Sequence, residues 1–295
     1  MVTGRCGGLS KDKAGQPTGM HVWKEQSMND SAVAIYDVRA FNTAAASENK
    51  MHDDATARRF GFRGGLVPGV EVYAYMTHAP VARFGRAWLE RGGMECRLVK
   101  PVYDGSLAKV IAEPDGDDLV IRVESDGDVC ATGRGWLSEN APAPPTDVLP
   151  SSAPSGQRPP ASARSLAPGT ALGTAPLRID EEGLASYLAD VRETHPIYAR
   201  EGLVHPGQIL RLANAVLAQN VVLGPWIHVG SLVENFASAR LGDELTLRAR
   251  ISSNSEKKGH GFVEFDALVT ANGIAPVARI HHTAIWRPRQ IAGAS

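Results

Sequence analysis

The sequence predicts an α+β protein in which one plan, a long helix followed by an antiparallel meander, is used twice. Three observations predict it. Each half contains an apolar helical run that opens just after a glycine-containing turn. Four strand-like segments separated by turn residues follow each helix. Matching segments recur at a steady offset: Gly65-Leu66-Val67 and Gly202-Leu203-Val204 are 137 positions apart, as are Gly105 and Gly242. A single period of about half the chain marks an internal duplication, not a short solenoid repeat.

The elements follow in order. Residues 1–20 contain no apolar core of a secretory signal and read as a disordered tail, with Met20 an alternative start. From His21 to Phe41 the pattern alternates, with Ala32, Ala34 and Tyr36 on one face, and predicts a strand. Residues 42–64 are polar and predict loop and short helical turns. A helix is expected from Val70 to about Gly92, with one buried face (Val70, Tyr73, Val81, Phe84, Trp88) and a kink at Pro80. Strands are expected near 94–101, 105–114, 118–125 and 128–138, punctuated by Asp-Gly turns. The first domain thus spans 21–139.

Residues 140–176 are rich in Pro, Ser and Ala and read as an exposed linker. The second domain is placed at 177–288, with 289–295 as a tail. Asp180 is a candidate N-cap for a helix to Asp190, with Glu181 and Glu182 in its first turn. A loop from His195 to Gly207 leads into a helix near 208–222. Strands are expected near 226–236, 243–254, 260–272 and 276–287.

Composition excludes several classes. The 43% hydrophobic and 21% charged fractions are those of a globular protein. With 31 basic and 32 acidic residues there is no nucleic-acid footprint. No run approaches the roughly 18 uncharged apolar residues of a membrane helix. Cys6, Cys96 and Cys130 are odd in number and in no metal-ligand spacing, which fits a reducing, cytoplasmic setting. Phosphate-loop, dinucleotide and nucleophile-elbow motifs are absent. No metal or cofactor is expected.

One corner of each half carries groups suited to chemistry. In the second half Asp190 and His195 stand five apart, before His205-Pro206-Gly207 and a helix. A carboxylate and an imidazole on one loop can activate water and protonate carbon, and a helix N-terminus can polarise a carbonyl. The first half has Ser47, Asn49, His52 and Asp54 before Pro68-Gly69. In the plain alternative, Asp190 only ends a helix, and His195 and His205 are hydrogen-bonded loop residues. His281 and His282 alternate faces of a strand and read as structural.

These corners resemble those of the MaoC-like, (R)-specific enoyl-thioester hydratase family, whose pattern is Asp-x-Asn-Pro-x-His-x-Asp followed by a His-Gly step into the central helix. The resemblance covers roughly 30–138 and 176–288 and implies a double hotdog fold. It implies reversible hydration of trans-2-enoyl thioesters, or dehydration of 3-hydroxyacyl thioesters, as in fatty acid metabolism. The thioester, on coenzyme A or an acyl carrier protein, would be the substrate, with no separate cofactor, and the unit a monomer or homodimer. Carried over at an offset of 143 between His52 and His195, it makes Asp190 and His195 catalytic and places His205, Gly207, Arg192, Asn49 and His52 against substrate. Arg192 departs from the family's Asn and would pair with Asp190. Ser47 departs from the acid, although Glu48 adjoins it, so the first corner reads as a degenerate copy that shapes an acyl tunnel. Two other readings fit these departures: a non-catalytic thioester-binding module, and a hotdog thioesterase.

Overall fold

The computed structural model describes residues 32–140, 142–144, 149, 153–154 and 156–289. The expected N-terminal tail, nearly all of the C-terminal tail and much of the linker therefore lie outside the described residues. The first half comprises β1 (Ala34–Arg39), α1 (Asp54–Arg59), α2 (Gly69–Phe84), α3 (Arg86–Arg91), β2 (Gly92–Leu98), β3 (Leu107–Asp115), β4 (Asp118–Ser125) and β5 (Asp128–Leu137). The second comprises β6 (Ala171–Gly173), β7 (Leu177–Arg178), α4 (Glu181–Asp190), α5 (Ile197–Glu201), α6 (Pro206–Asn220), β8 (Ile227–Asn235), β9 (Glu244–Lys257), β10 (His260–Ala271) and β11 (Ala275–Arg287).

All strands join one sheet in the order β1-β3-β4-β5-β2-β8-β11-β10-β9-β6, with β7 also on β9. The two halves meet at the antiparallel pair β2–β8, where Glu95 faces Leu232. Those residues are 137 apart, so each is the other's copy and a pseudo-two-fold axis passes between them. The seam is continuous backbone hydrogen bonding, which leaves neither half with an unpaired inner edge.

The central helices α2 and α6 pack on each other and on the sheet. This double contact explains a difference from the sequence pattern. The stretch Val70–Thr77 is buried on every side, not along one stripe, because the second half covers the face that a lone helix would expose to water. The helix runs on through Pro80 and stops at Gly85, whose φ of 60° and ψ of −144° suit glycine alone. The expected single helix to Gly92 is thus two, α2 and α3.

The predicted linker is shorter than its composition implied. From Arg158 the chain contacts the second half, its guanidinium donating to the Ala218 carbonyl. Pro160 bridges to Val222, Leu166 is fully buried, and Leu172 of β6 pairs with Ala249 of β9. Two large apolar side chains hidden among Ser, Ala and Pro are enough to dock this segment. The second unit therefore begins ahead of residue 177. Asp180 caps α4 as expected, its carboxylate accepting from Gly183 N at 2.8 Å.

Candidate active site

The corner before each central helix is built the same way. In the first, Asn49 Oδ1 accepts from Met51 N at 3.2 Å and opens a single helical turn, Lys50–His52. In the second, His195 Nδ1 accepts from Ile197 N at 3.3 Å ahead of α5. Met51 and Ile197 are both buried beneath their turns. His195 therefore occupies the place of Asn49, Tyr198 that of His52, and Glu193 that of Ser47. The true offset here is 146, and the expected equivalence of His52 with His195 is corrected. The family pattern then reads Glu193-x-His195-Pro196-x-Tyr198 in the second half. Pro196 is the signal in the sequence that sets this register; the five-residue spacing of Asp190 and His195 does not.

The expected Asp190–His195 pair is not formed. Asp190 ends α4, and its carboxylate has no hydrogen bond or ion pair among the described residues. Arg192 does not pair with it either: its guanidinium donates to the Ala189 carbonyl at 2.6 Å and lies over the Phe41 ring, on backbone with a φ of 58°. The acid of this corner is Glu193. Its side chain is 2% exposed. Oε1 accepts from His195 N at 2.6 Å and from His78 Nδ1, on α2, at 2.8 Å. Oε2 lies 3.5 Å from His205 Nε2, too long for a hydrogen bond. Burial alone would raise this carboxyl group's pKa, but the two histidines outweigh it and hold the group well below the usual range.

The second corner is also closed at its helix. His205 is the N-cap of α6: Nδ1 accepts from Gly207 N at 3.0 Å, and Gln208 Oε1 accepts from His205 N at 3.3 Å. Accepting at Nδ1 puts a neutral ring's proton on Nε2, towards Glu193. Gly207 does not make room for a ligand. A Cβ there would collide with Tyr187 Oη and lie 2.6 Å from the Ala74 Cβ, so glycine permits close packing of α6 on α4 and α2.

The first corner is open. His52 Nδ1 donates to the Leu66 carbonyl at 2.6 Å, which leaves the Nε2 lone pair facing Asn49 Nδ2 at 3.2 Å. Asn49 is locked to the second half, donating to Trp226 O at 3.0 Å and accepting from Trp226 N at 3.1 Å. Burial pushes the His52 pKa down against the opposing effect of the Leu66 carbonyl, so the ring is neutral near pH 7. No side chain caps α2 at Pro68. A cleft of 760 Å³ is lined by Ser47, Asn49, His52, Pro68 and Val70 from this half and by Arg211 and Asn214 from α6. A narrower cavity of 230 Å³ shares Asn49, His52, Asn214 and Trp226 and continues between Gly69, Val72 and Leu98. The half expected to be degenerate is the half that faces open space.

No protein-family model matches the chain, and no curated protein matches it. Solved structures do. One is a protein from Chloroflexus aurantiacus J-10-fl described as a MaoC-domain dehydratase, 14% identical, with a TM-score of 0.60 over 88% of this chain and 95% of that one. Another is Rv0216 of Mycobacterium tuberculosis, described as a conserved hypothetical protein with a double hotdog fold, 14% identical, with a TM-score of 0.61 over 88% and 96%. A third, a MaoC-like dehydratase, is 12% identical with a TM-score of 0.56 over 84% and 96%.

The chain is a double hotdog.

In this double hotdog the two corners differ in what sits beside the helix start. Glu71 lies under the first-corner cleft and is 1% exposed. Arg211 Nε donates to its Oε1 at 2.7 Å, Thr43 Oγ1 to Oε1 at 3.0 Å, and Tyr187 Oη to Oε2 at 3.1 Å. Both oxygens are thus committed, and the group serves as a buried tie between α2, α6 and α4. In the sequence it reads only as a first-turn acid. Glu48, the other acid near Ser47, is exposed and paired with Arg158 at 2.9 Å. Among the described residues no cluster could hold a metal ion, and no helix is long and apolar enough to cross a membrane.

Proposed function

We propose that this double hotdog binds an acyl thioester, carried on coenzyme A or an acyl carrier protein, at its first corner and reversibly hydrates a trans-2-enoyl thioester there. The observation that carries the reading is that neutral His52 and the uncapped start of α2 line the same cavity. His52 Nε2 exchanges its contact with Asn49 Nδ2 for a water and takes a proton from that water as the hydroxyl adds to C3. The electron pair moves to the thioester oxygen, where the partial positive charge of the α2 N-terminus stabilises the enolate. The imidazolium then returns its proton to C2. One base suffices for this addition, and the thioester is the substrate, so the scheme uses no cofactor. The apolar cavity beyond Gly69 takes the acyl chain. The intramolecular β2–β8 seam supplies within one chain a pairing of two hotdogs, which supports a monomeric unit.

The test is loss of the conjugated enoyl absorbance with a short trans-2-enoyl-coenzyme A. His52→Gln should lower kcat/KM by roughly 10²–10⁴-fold while the protein still shows a cooperative thermal transition. Activity should fall as pH drops through a pKa below the ordinary histidine value, because only the neutral ring accepts a proton. Unchanged turnover in His52→Gln sinks the assignment. One observation favours a second reading: Ser47 stands where the other corner has Glu193. A corner without its acid could hold a thioester without turning it over, in which case binding is measured and the absorbance stays constant.

A further inference from the structure

The wide cleft and the narrow cavity of the first corner meet at Asn49, His52, Asn214 and Trp226, which line both. Asn49 is spent on the Trp226 backbone, and His52 is the base. Asn214 is spent on nothing: neither end of its side-chain amide has a hydrogen-bond partner among the described residues. Oδ1 is buried, so Nδ2 is the end that reaches the throat between the two spaces. Arg211, Asn214, Ala215 and Ala218 fall at helical spacings of three and four, and this one face of α6 lines the cleft.

The packing of the two central helices sets Asn214 against the start of α2. Ala74 of α2 meets Gly207 of α6, and Glu71 meets Arg211. A lower number on one helix thus meets a higher number on the other, and the helices run antiparallel. One turn further on, the uncapped start of α2 at Pro68 comes opposite Asn214. The duplicated position shows a contrast. Helix α2 begins at Gly69 and α6 at Pro206, 137 apart, so the counterpart of Asn214 is Thr77. Thr77 is fully buried, and its Oγ1 donates to the Ala74 carbonyl of its own helix at 2.7 Å. By the pseudo-two-fold it stands at the closed corner, where His205 caps α6. The capped helix start therefore faces a spent hydroxyl, and the bare one faces a free amide. An unpartnered asparagine inside a helix lowers helix stability and leaves a buried oxygen unsatisfied, so packing does not account for it.

We propose that Asn214 is a catalytic residue of the first corner, its Nδ2–H donating to the thioester oxygen beside the N–H groups that open α2. The inference rests on the thioester reading above. It makes the site composite: the base comes from the first half and this donor from the second. As the hydroxyl adds to C3 and the electron pair reaches the thioester oxygen, the hydrogen bond from Nδ2 strengthens onto the enolate. No bond to Asn214 is made or broken.

The experiment pairs turnover of a short trans-2-enoyl-coenzyme A with the infrared carbonyl stretch of bound hexanoyl-coenzyme A, isotopically labelled at its carbonyl carbon. Asn214→Ala should lower kcat by about 10²–10³-fold while KM stays within about threefold of wild type, and Asn214→Asp, equal in size but without the donor, should lose about as much. Binding to wild type should shift the carbonyl stretch to lower frequency, and both variants should return it toward the free value. Truncation strands no partner, so the urea midpoint of Asn214→Ala should be no lower than that of wild type; a midpoint that falls marks a structural residue and overturns the assignment. The wild-type spectrum needs no variant to fold, and a stretch that binding leaves unshifted overturns this inference alone. So does turnover within about threefold of wild type in either variant. Absence of enoyl turnover in wild type overturns the hydration reading together with it.

Discussion

Replacing Glu193 is the sharpest test of how the second corner is held. Its carboxylate accepts from His195 N at 2.6 Å and from His78 Nδ1 at 2.8 Å, with His205 Nε2 at 3.5 Å. Glu193→Ala strands His195 N and His78 Nδ1 in a site where the carboxylate was 2% exposed. Breaking a buried pair from one side costs about 3–5 kcal/mol. His78 is 18% exposed, so water can reach its ring, and the lower end, about 3 kcal/mol, is expected. Glu193→Gln keeps one acceptor and loses the charge, for about 1.5–3 kcal/mol. Urea unfolding at pH 7 measures both. The pH dependence follows from the direction of the shift. A carboxyl group held below its unfolded value contributes stability that is complete above that value, about 4.3, and fades as pH falls toward the folded pKa. Wild type should therefore lose stability below about pH 5, and Glu193→Gln should lose less over the same range. A cost under about 1 kcal/mol for Glu193→Ala, or parallel acid slopes for wild type and Glu193→Gln, would refute the reasoning.

Other consequences are simpler. Asp190→Asn should leave enoyl-thioester turnover within about twofold of wild type, because Asp190 meets no histidine; a loss as large as that of His52→Gln would restore the original pairing. Gly207→Ala forces a methyl group onto Tyr187 and Ala74 and should cost about 1–3 kcal/mol in urea unfolding. Leu166→Ala should cost about 2–5 kcal/mol, since that side chain is fully buried; a neutral result would mean the segment before β6 is not part of the folded unit.

Much of the fold was legible because it is written in local patterns. The strands β8 to β11, the Asp-Gly turns and the Asp180 cap each depend on residues a few positions apart, and each lies close to where it was expected. The duplication was legible from Gly65-Leu66-Val67 and Gly202-Leu203-Val204, and the seam bears it out: Glu95 lies opposite Leu232. The site was less legible. A histidine that opens a turn through Nδ1, as His195 does, looks in sequence like the histidine of the motif, although it does the work of an asparagine. Glu193 carried no periodic signal, and its partner His78 is 115 positions away.

By itself, then, the sequence determined the repeated unit, the order of its helices and strands, and the pair of corners, since propensity, hydrophobic period and turn chemistry act over short separations. Only the tertiary structure decided which corner is open. That choice depends on groups from both halves. His78 and His205 close around Glu193, while Trp226 holds Asn49 beside His52 and the start of α2 is left uncapped. Burial and hydrogen-bond geometry across the two-fold arise only when distant segments pack, and no spacing along the chain encodes them directly.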